Sequence, residues 1–210
     1  MTAARMAALF AFVLMTIAAT APATADTAVV EYSIGTRGEV RADLPDFVAA
    51  VRDAYADPRG WSLGGVVRFK RVASGGDLEV WLVSPDEMTT FSGDCSHVWS
   101  CRVGRDVVIN DIRFRDGSPF WPGALDDYRI LLINHETGHW LGFEHEPCSG
   151  AGALAPVMMQ QSKGVGICVG NPWPLQGERI AAGRALGVTV SATSLVSADL
   201  PHARGFAPLP

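Results

Sequence analysis

The chain has 210 residues and a formal net charge of −5, and 48% of its residues are hydrophobic while 19% are charged. This length and composition correspond to one domain with a substantial core. Because 17 basic residues stand against 22 acidic ones, no basic face is indicated, and a nucleic-acid partner is not expected.

The first 25 residues have the pattern of a secretory signal peptide. Arg5 precedes an apolar run from Met6 to about Ala19, and Ala23-Thr24-Ala25 supplies small residues for cleavage before Asp26. The apolar run is too short to span a bilayer comfortably. We therefore expect removal of residues 1–25 and a secreted, extracellular protein that has no stable association with the membrane.

Beyond the signal peptide, hydrophobic spacing and turn residues divide the chain into strands and helices. Strands are expected at 27–34, 65–72 and 78–84, and a helix is expected at 44–55. Next come a hairpin of 97–103 and 106–112, a buried helix from Leu125 or Asp126 to Leu141, and a last helix at 175–186 that ends at Gly187. This order indicates an α+β fold, with helices packed against a twisted mixed sheet, in one domain at 26–187 followed by a tail at 188–210.

The buried helix carries the pattern H-E-x-x-H-x-x-G-x-x-H, which begins at His135. His135 and His139 are four residues apart and project from one helix face, so both imidazoles can reach one zinc ion. Gly142 can leave helical geometry at little steric cost, which allows His145 to return as a third ligand. Three protein ligands leave one coordination position open, and Glu136 stands beside it as the general base for a zinc-activated water.

A simpler interpretation of these residues is an amphipathic helix whose histidines cap or form hydrogen bonds. The additional Gly142 and His145 make that interpretation much less probable than a bare H-E-x-x-H would.

The eleven-residue motif resembles the signature of the metzincin metalloproteases, in which a methionine turn lies beneath the zinc. Ala155-Pro156-Val157-Met158 fits that turn, with Met159 as the alternative. The resemblance implies a metzincin-like fold, one catalytic Zn²⁺, a peptide or protein substrate, and an edge strand at 97–103 to which an extended peptide adds. Astacins and serralysins have a Tyr shortly after the Met, whereas Gln160 and Gln161 follow here, so no oxyanion-stabilising tyrosine is carried over.

The spacing of the cysteines and the stretch Pro156 to Gln161 are also similar to a family of secreted actinobacterial proteins known only as a domain of unknown function. That resemblance covers roughly Ala28 to Gly187, and it implies no activity.

The four cysteines are expected to form disulfides, because the count is even and the chain is expected to be exported. Three connectivities are open, and the favoured one pairs Cys95 with Cys101 and Cys148 with Cys168, since each bridge would close a loop next to the motif. Zinc ligation by cysteine is disfavoured, because no C-x-x-C spacing occurs.

Several other polar and aromatic residues have ordinary structural explanations. His97 and His202 are expected at the surface. The acidic residues Asp111, Asp116, Asp126 and Asp127 lack the ligand spacing of an EF-hand loop, and solvated acids or helix N-terminal charges explain them without calcium. Trp121, Trp140 and Trp173 are expected in the core or in the wall of a cleft.

Together these features predict an exported zinc-dependent endopeptidase with His135, His139 and His145 as ligands and Glu136 as base. Two alternatives remain open: a non-catalytic, secreted peptide-binding module of the same fold, and a zinc amidase that acts on cell-wall peptides.

Overall fold

The computed structural model describes residues 27–190 and Leu195. The expected signal peptide lies outside the described residues, as does nearly all of the expected tail. Between residues 27 and 190, none of the helices combines the length and the apolar character that a bilayer crossing requires.

A five-stranded mixed sheet forms the centre of the fold. Its strands are β1 (Ala28–Arg37), β2 (Val67–Arg71), β3 (Leu78–Val83), β4 (Cys101–Val103) and β5 (Asp106–Asn110). Their order in the sheet is β2-β1-β3-β5-β4. The first four strands in this order are parallel, and β4 pairs antiparallel with β5 at one edge.

Within residues 27–190, four α-helices accompany the sheet: α1 (Leu44–Ala56), α2 (Asp111–Asp116), α3 (Leu125–Trp140) and α4 (Gln176–Ala185). Asp43 caps α1, because its side chain accepts a hydrogen bond from the backbone N–H of Asp46. Gly187, with φ of 69°, follows the end of α4 and provides the left-handed residue typical of a helix C-terminus. The α+β architecture expected from the sequence is therefore confirmed.

The principal core lies between the sheet and helices α1 and α3. It joins alternate side chains of the strands to one face of α1 and to most of α3. Phe47, Val51 and Tyr55 recur at helical spacing on the buried face of α1. A smaller cluster of Val83, Met88 and Val108 lies apart from the principal core. Because burial surrounds α3, its position relative to the sheet is fixed by packing on several sides.

The edge hairpin differs from the sequence prediction at both ends. Only Cys101–Val103 of the expected 97–103 strand is extended into the sheet. Residues 97–100 are instead held by Asn110, whose Nδ2 donates to the carbonyl of His97 and whose backbone N–H donates to Oγ of Ser100. The other strand ends at Asn110 rather than Ile112, because Oδ1 of Asn110 accepts from the N–H groups of Ile112 and Arg113 and begins α2.

Gly138 allows the chain downstream of α3 to pack directly against this helix. A Cβ atom at position 138 would overlap Sδ of Met158, and it would also lie 3.1 Å from Cζ2 of Trp61. Met158 and Trp61 are both fully buried, so neither side chain has free space into which to move. The absence of a side chain at Gly138 therefore sets the approach of Met158 to α3.

Gly138→Ala is expected to destabilise the fold by about 1–3 kcal/mol through overpacking, despite the better helix propensity of Ala. Gly177→Ala in α4 is the matched control, because a Cβ there meets nothing within 4 Å and should leave stability equal or slightly higher. Urea unfolding of the two variants measures the difference. A Gly138→Ala protein as stable as Gly177→Ala would contradict the packing argument.

Candidate metal centre

Three histidines come together at the C-terminal end of α3. His135 and His139 project from the helix, and the chain reverses directly after it, with φ of 94° at Gly142. The reversal is closed by backbone hydrogen bonds from Gly142 N to His139 O and from Phe143 N to Gly138 O. His145 then returns to the two helical histidines, as the spacing of the motif predicts.

The donor atoms of the cluster are close enough for one metal ion. One ring nitrogen of each histidine lies within 4.8 Å of those of the other two. Nε2 of His139 and Nε2 of His145 are 3.2 Å apart. A tetrahedral zinc ion with nitrogen ligands at about 2.0–2.1 Å places neighbouring nitrogens about 3.3 Å apart. Three imidazoles are also a donor set that suits zinc. The histidine cluster therefore fits a zinc ion.

Backbone carbonyls fix the tautomers of the two helical histidines. Nδ1 of His135 lies 2.8 Å from the carbonyl oxygen of Val157, and Nδ1 of His139 lies 2.8 Å from that of Phe143. Because a carbonyl only accepts, each Nδ1 carries the proton and each Nε2 keeps its lone pair. Burial lowers the pKa of His135 to about 3 and also lowers the pKa values of His139 and His145. The cluster is thus neutral and ready to coordinate at neutral pH.

Glu136 is buried beside the histidines, with 5% of its surface exposed. In the part of the chain that the structure describes, Oε2 of Glu136 has no hydrogen-bond partner. Burial raises the pKa of Glu136 to about 8, and the positive charge of Arg102 opposes this shift. Since a buried polar atom without a partner is costly, this carboxylate is not explained by the needs of the fold.

The cluster lies in an open cleft of about 410 Å³. One wall comes from the edge hairpin, including Trp99 and Arg102, and the other comes from 159–163 downstream of α3. Glu136 and all three histidines line this cleft. The histidine cluster and Glu136 can therefore be reached from the cleft.

The segment that was expected to form a methionine turn passes beside α3. Met158 is fully buried, and its carbonyl accepts from the backbone N–H of Glu146, directly after His145. Gln161 is buried as well, because its side chain bridges the carbonyls of Pro156 and Asn171 and accepts from Asn171 N. Gln161 therefore supports the loop, and both Gln160 and Gln161 line the cleft.

All four cysteines are paired as the sequence favoured. Cys95 joins Cys101 and Cys148 joins Cys168. The second bridge closes the loop that contains Met158, and a short parallel bridge between Leu154 and Val169 narrows that loop further. The disulfide therefore limits the freedom of the segment beside the histidines.

The remaining candidate residues lie away from the cluster. His97 is exposed, and its Nδ1 lies 2.7 Å from the carbonyl of Pro85. Asp111 accepts from the N–H groups of Arg41 and Ala42, while Asp116 and Asp126 form ion pairs. Within residues 27–190, the grouping of potential metal ligands is the histidine triad. His202 lies outside the described residues.

The three tryptophans differ in their surroundings. Nε1 of Trp121 donates to the carbonyl of Ala124, Trp140 packs partly buried against the core, and the guanidinium of Arg59 stacks 4.1 Å from the ring of Trp173. Each of the three tryptophans therefore has packing or hydrogen-bond partners within the fold, and none of them lines the cleft.

Glu178, the buried acid in the first turn of α4, was not predicted from the sequence to belong to the site. Its position three residues after the N-cap Leu175 is a helix-start signal. Its carboxylate also accepts hydrogen bonds from Val157 N and Met158 N, and no local pattern reveals contacts across that distance in the chain.

Comparison with known proteins assigns the chain to a family but does not assign an activity to it. Residues 11–174 match the model of a family described as "Protein of unknown function (DUF3152)". This match confirms the resemblance to a domain of unknown function. No curated protein matches the chain. Among solved structures, it is similar to archaemetzincin from Methanopyrus kandleri, with a TM-score of 0.47, 16% sequence identity, and coverage of 75% of this chain and 96% of that chain.

Replacement of Cys148 and Cys168 by Ser should lower stability more than replacement of Cys95 and Cys101. The bridges span 20 and 6 residues in sequence, and the entropy of loop closure predicts a difference of about 1 kcal/mol. Urea unfolding of the two double variants measures it. A larger loss from the shorter loop would contradict the expectation, as would a non-reduced peptide map that links Cys148 to Cys95.

Proposed function

The chain belongs to the DUF3152 family, whose description names no activity, and we propose from its site that the protein is a secreted zinc-dependent endopeptidase. The observation that carries the proposal is the convergence of three neutral imidazoles beside a buried carboxylate with an unpaired oxygen. These are the groups that metal-assisted hydrolysis requires.

His135, His139 and His145 would hold the zinc ion through ring nitrogens. When bound there, zinc would supply a Lewis acid for a substrate carbonyl and for the attacking water. The carbonyls of Val157 and Phe143 orient the rings of His135 and His139, as backbone acceptors commonly do for histidine ligands. Each ring is then held before the metal arrives, which reduces the entropy that binding costs.

Glu136 would act as the general base and then as the general acid. With zinc bound beside it, the pKa of Glu136 would fall, because a nearby positive charge favours the ionised carboxylate. This carboxylate would then take a proton from the attacking water and deliver it to the amine nitrogen that leaves. Oε2 suits this role because, within the described residues, no other group competes for it. A protein that only bound peptides would not need a carboxylate in this position, and the residue therefore favours hydrolysis over binding alone.

An extended peptide would bind along β4, which is the edge strand next to the cleft. Through residues 27–190, no further strand pairs with its outer side. Added strands use backbone hydrogen bonds, which would align the scissile carbonyl above the histidines. Because only Cys101–Val103 is extended, we expect few such bonds and a corresponding contribution from the rest of the cleft.

Met158 would serve as the methionine turn, since it is buried against Gly138 beneath the helix that carries the histidines. Two disulfides are typical of an oxidising compartment, which supports export as the signal-peptide pattern suggests. The substrate would then be an extracellular peptide or protein.

Glu136→Gln is expected to keep about one zinc per chain while hydrolysis falls by at least about 10²–10⁴-fold, because the general base is lost and the ligands are not. Zinc content by mass spectrometry and cleavage of casein, each with and without chelator, measure the two effects. Asp126→Asn is the matched control, since this carboxylate lies on the same helix and is 90% exposed. It should leave both quantities within about threefold of the wild-type values.

Parallel digestion of purified peptidoglycan separates proteolysis from cell-wall amidase activity. Chelator-sensitive cleavage of peptidoglycan but not of casein would contradict the endopeptidase proposal and support the cell-wall amidase. Zinc binding without hydrolysis of either material would favour a binding module. If Glu136→Gln kept more than a tenth of wild-type casein cleavage, Glu136 would not be the general base.

A further inference from the structure

Glu178 is a buried acid in the first turn of α4, with 6% of its surface exposed. Its Oε2 accepts a hydrogen bond of 2.6 Å from the backbone N–H of Leu175, the N-cap of the same helix. This bond is half of a capping box and satisfies one of the free N–H groups at a helix start. A helix cap of this kind requires neither burial nor any further partner.

Two additional bonds connect Glu178 to the segment beside the histidines. Oε2 accepts from Val157 N at 3.1 Å, and Oε1 accepts from Met158 N at 2.9 Å. The carboxylate thus binds two successive peptide units that precede it by about twenty residues. Bonds from N–H groups to an ionised carboxylate are stronger than neutral ones, so this contact fixes the segment firmly.

The peptide unit that joins Val157 to Met158 has Glu178 on its N–H side and the metal centre on its carbonyl side. The carbonyl of Val157 accepts from Nδ1 of His135 at 2.8 Å. The carbonyl of Met158 accepts from Glu146 N at 3.1 Å, next in sequence to His145. Glu178 therefore reaches the ring of His135 through a single peptide unit, and it reaches the backbone after His145 through Met158, whose N–H and carbonyl groups make the two bonds.

We propose that Glu178 is a positioning residue for the metal centre. It sets the ring of His135 through the peptide unit between Val157 and Met158, and it sets the path of the chain at His145 through the backbone of Met158. The inference rests on the metal site of the proposed function. Glu178 does not touch the metal or the substrate. Its effect is to keep two of the three ligands in place before metal binds, as outer partners of metal-ligating histidines do.

The energetic cost of burying the carboxylate supports a role beyond capping. Burial raises the pKa of Glu178, and the N–H donors of Met158, Leu175 and Val157 oppose this rise. An exposed glutamate would cap α4 without the desolvation cost. The buried position is needed only for the bonds to Val157 and Met158.

Two variants separate capping from positioning. Glu178→Gln keeps the shape of the side chain but places an N–H₂ group against at least one N–H donor. Glu178→Asp keeps the negative charge in the first turn of α4, where it still favours the helix, but its side chain is one methylene too short to reach both 157 and 158. The comparison of these two variants shows whether a negative charge at the start of α4 is sufficient to keep the zinc affinity.

Val108→Ala is the matched control for stability. Val108 is fully buried in the smaller cluster, and it faces away from its neighbours Val107 and Ile109, which belong to the principal core. Its truncation lowers the melting temperature through a cavity in the smaller cluster, which contains none of the histidines, Glu178 or the segment at 157–158. Any change in metal affinity that merely follows stability will therefore occur in this variant too.

Zinc affinity by chelator competition is measured on the mature protein under conditions in which every variant is folded. The absorption spectrum of the cobalt-substituted protein reports the ligand geometry. We expect Glu178→Gln and Glu178→Asp to weaken zinc binding by about 10–100-fold with an altered cobalt spectrum. Val108→Ala should stay within about threefold of the wild-type affinity, with an unchanged spectrum.

Affinities within threefold of wild type in both Glu178 variants would overturn the positioning role and leave the metal site intact. An equal loss of affinity in Val108→Ala would also overturn it, because affinity would then follow stability. Should Glu178→Gln fail to fold, Glu178→Asp alone decides by the same criteria. A wild-type protein that binds no zinc would overturn the proposed function as well, so the two failures are distinguishable.

Discussion

The hydrogen bond from Nδ1 of His135 to the carbonyl of Val157 is the contact on which the candidate site depends. It joins a helix to a chain segment 22 residues downstream, and it determines which ring nitrogen faces the cleft. The bond forms only if the segment lies close against α3. Gly138 permits that approach because it lacks a side chain, and Met158 fills the space beside it. Packing and hydrogen bonding therefore specify the same arrangement.

Because α3 is largely buried, a carboxylate oxygen without a hydrogen-bond partner, as in Glu136, is an unusual feature of this helix. Several buried polar groups on this helix have partners within the fold. Oγ1 of Thr137 donates to the carbonyl of Ile133 and contacts the hydroxyl of Tyr55, and Nε1 of Trp61 donates to the carbonyl of Asn134. Among the described side chains, Oε2 of Glu136 is the carboxylate oxygen that is buried without a partner. Oδ1 of Asn134 on the same helix is also buried without a partner, but a buried ionisable group costs more than a buried amide, so the position of Glu136 is the one expected of a functional residue.

Local geometry made much of the fold and the histidine cluster predictable. Helical spacing places His135 and His139 on one face, and Gly142 adopts the left-handed conformation that the turn needs. Sequence patterns predicted the wrong strand boundaries where the side chain of Asn110 replaces backbone pairing between strands. Asn110 holds residues 97–100 and starts α2, so the edge strand is shorter than its β-branched and aromatic residues suggest. The contacts of Glu178 with Val157 and Met158 join distant parts of the chain, and periodicity carries no information about them.

Two constraints hold the loop beside the metal centre, and they act on different states of the chain. The Cys148–Cys168 bridge mainly reduces the freedom of the unfolded loop, whereas the bonds of Glu178 exist only in the folded protein. Val157 and Met158 hold the middle of the loop by burial, whereas Leu154 and Ile167 are exposed and contribute little burial near its ends. A disulfide alone keeps the loop near α3 without setting its register. Hydrogen bonds from Glu178 to particular peptide units supply that register, so the orientation of His135 depends on α4 as well as on α3.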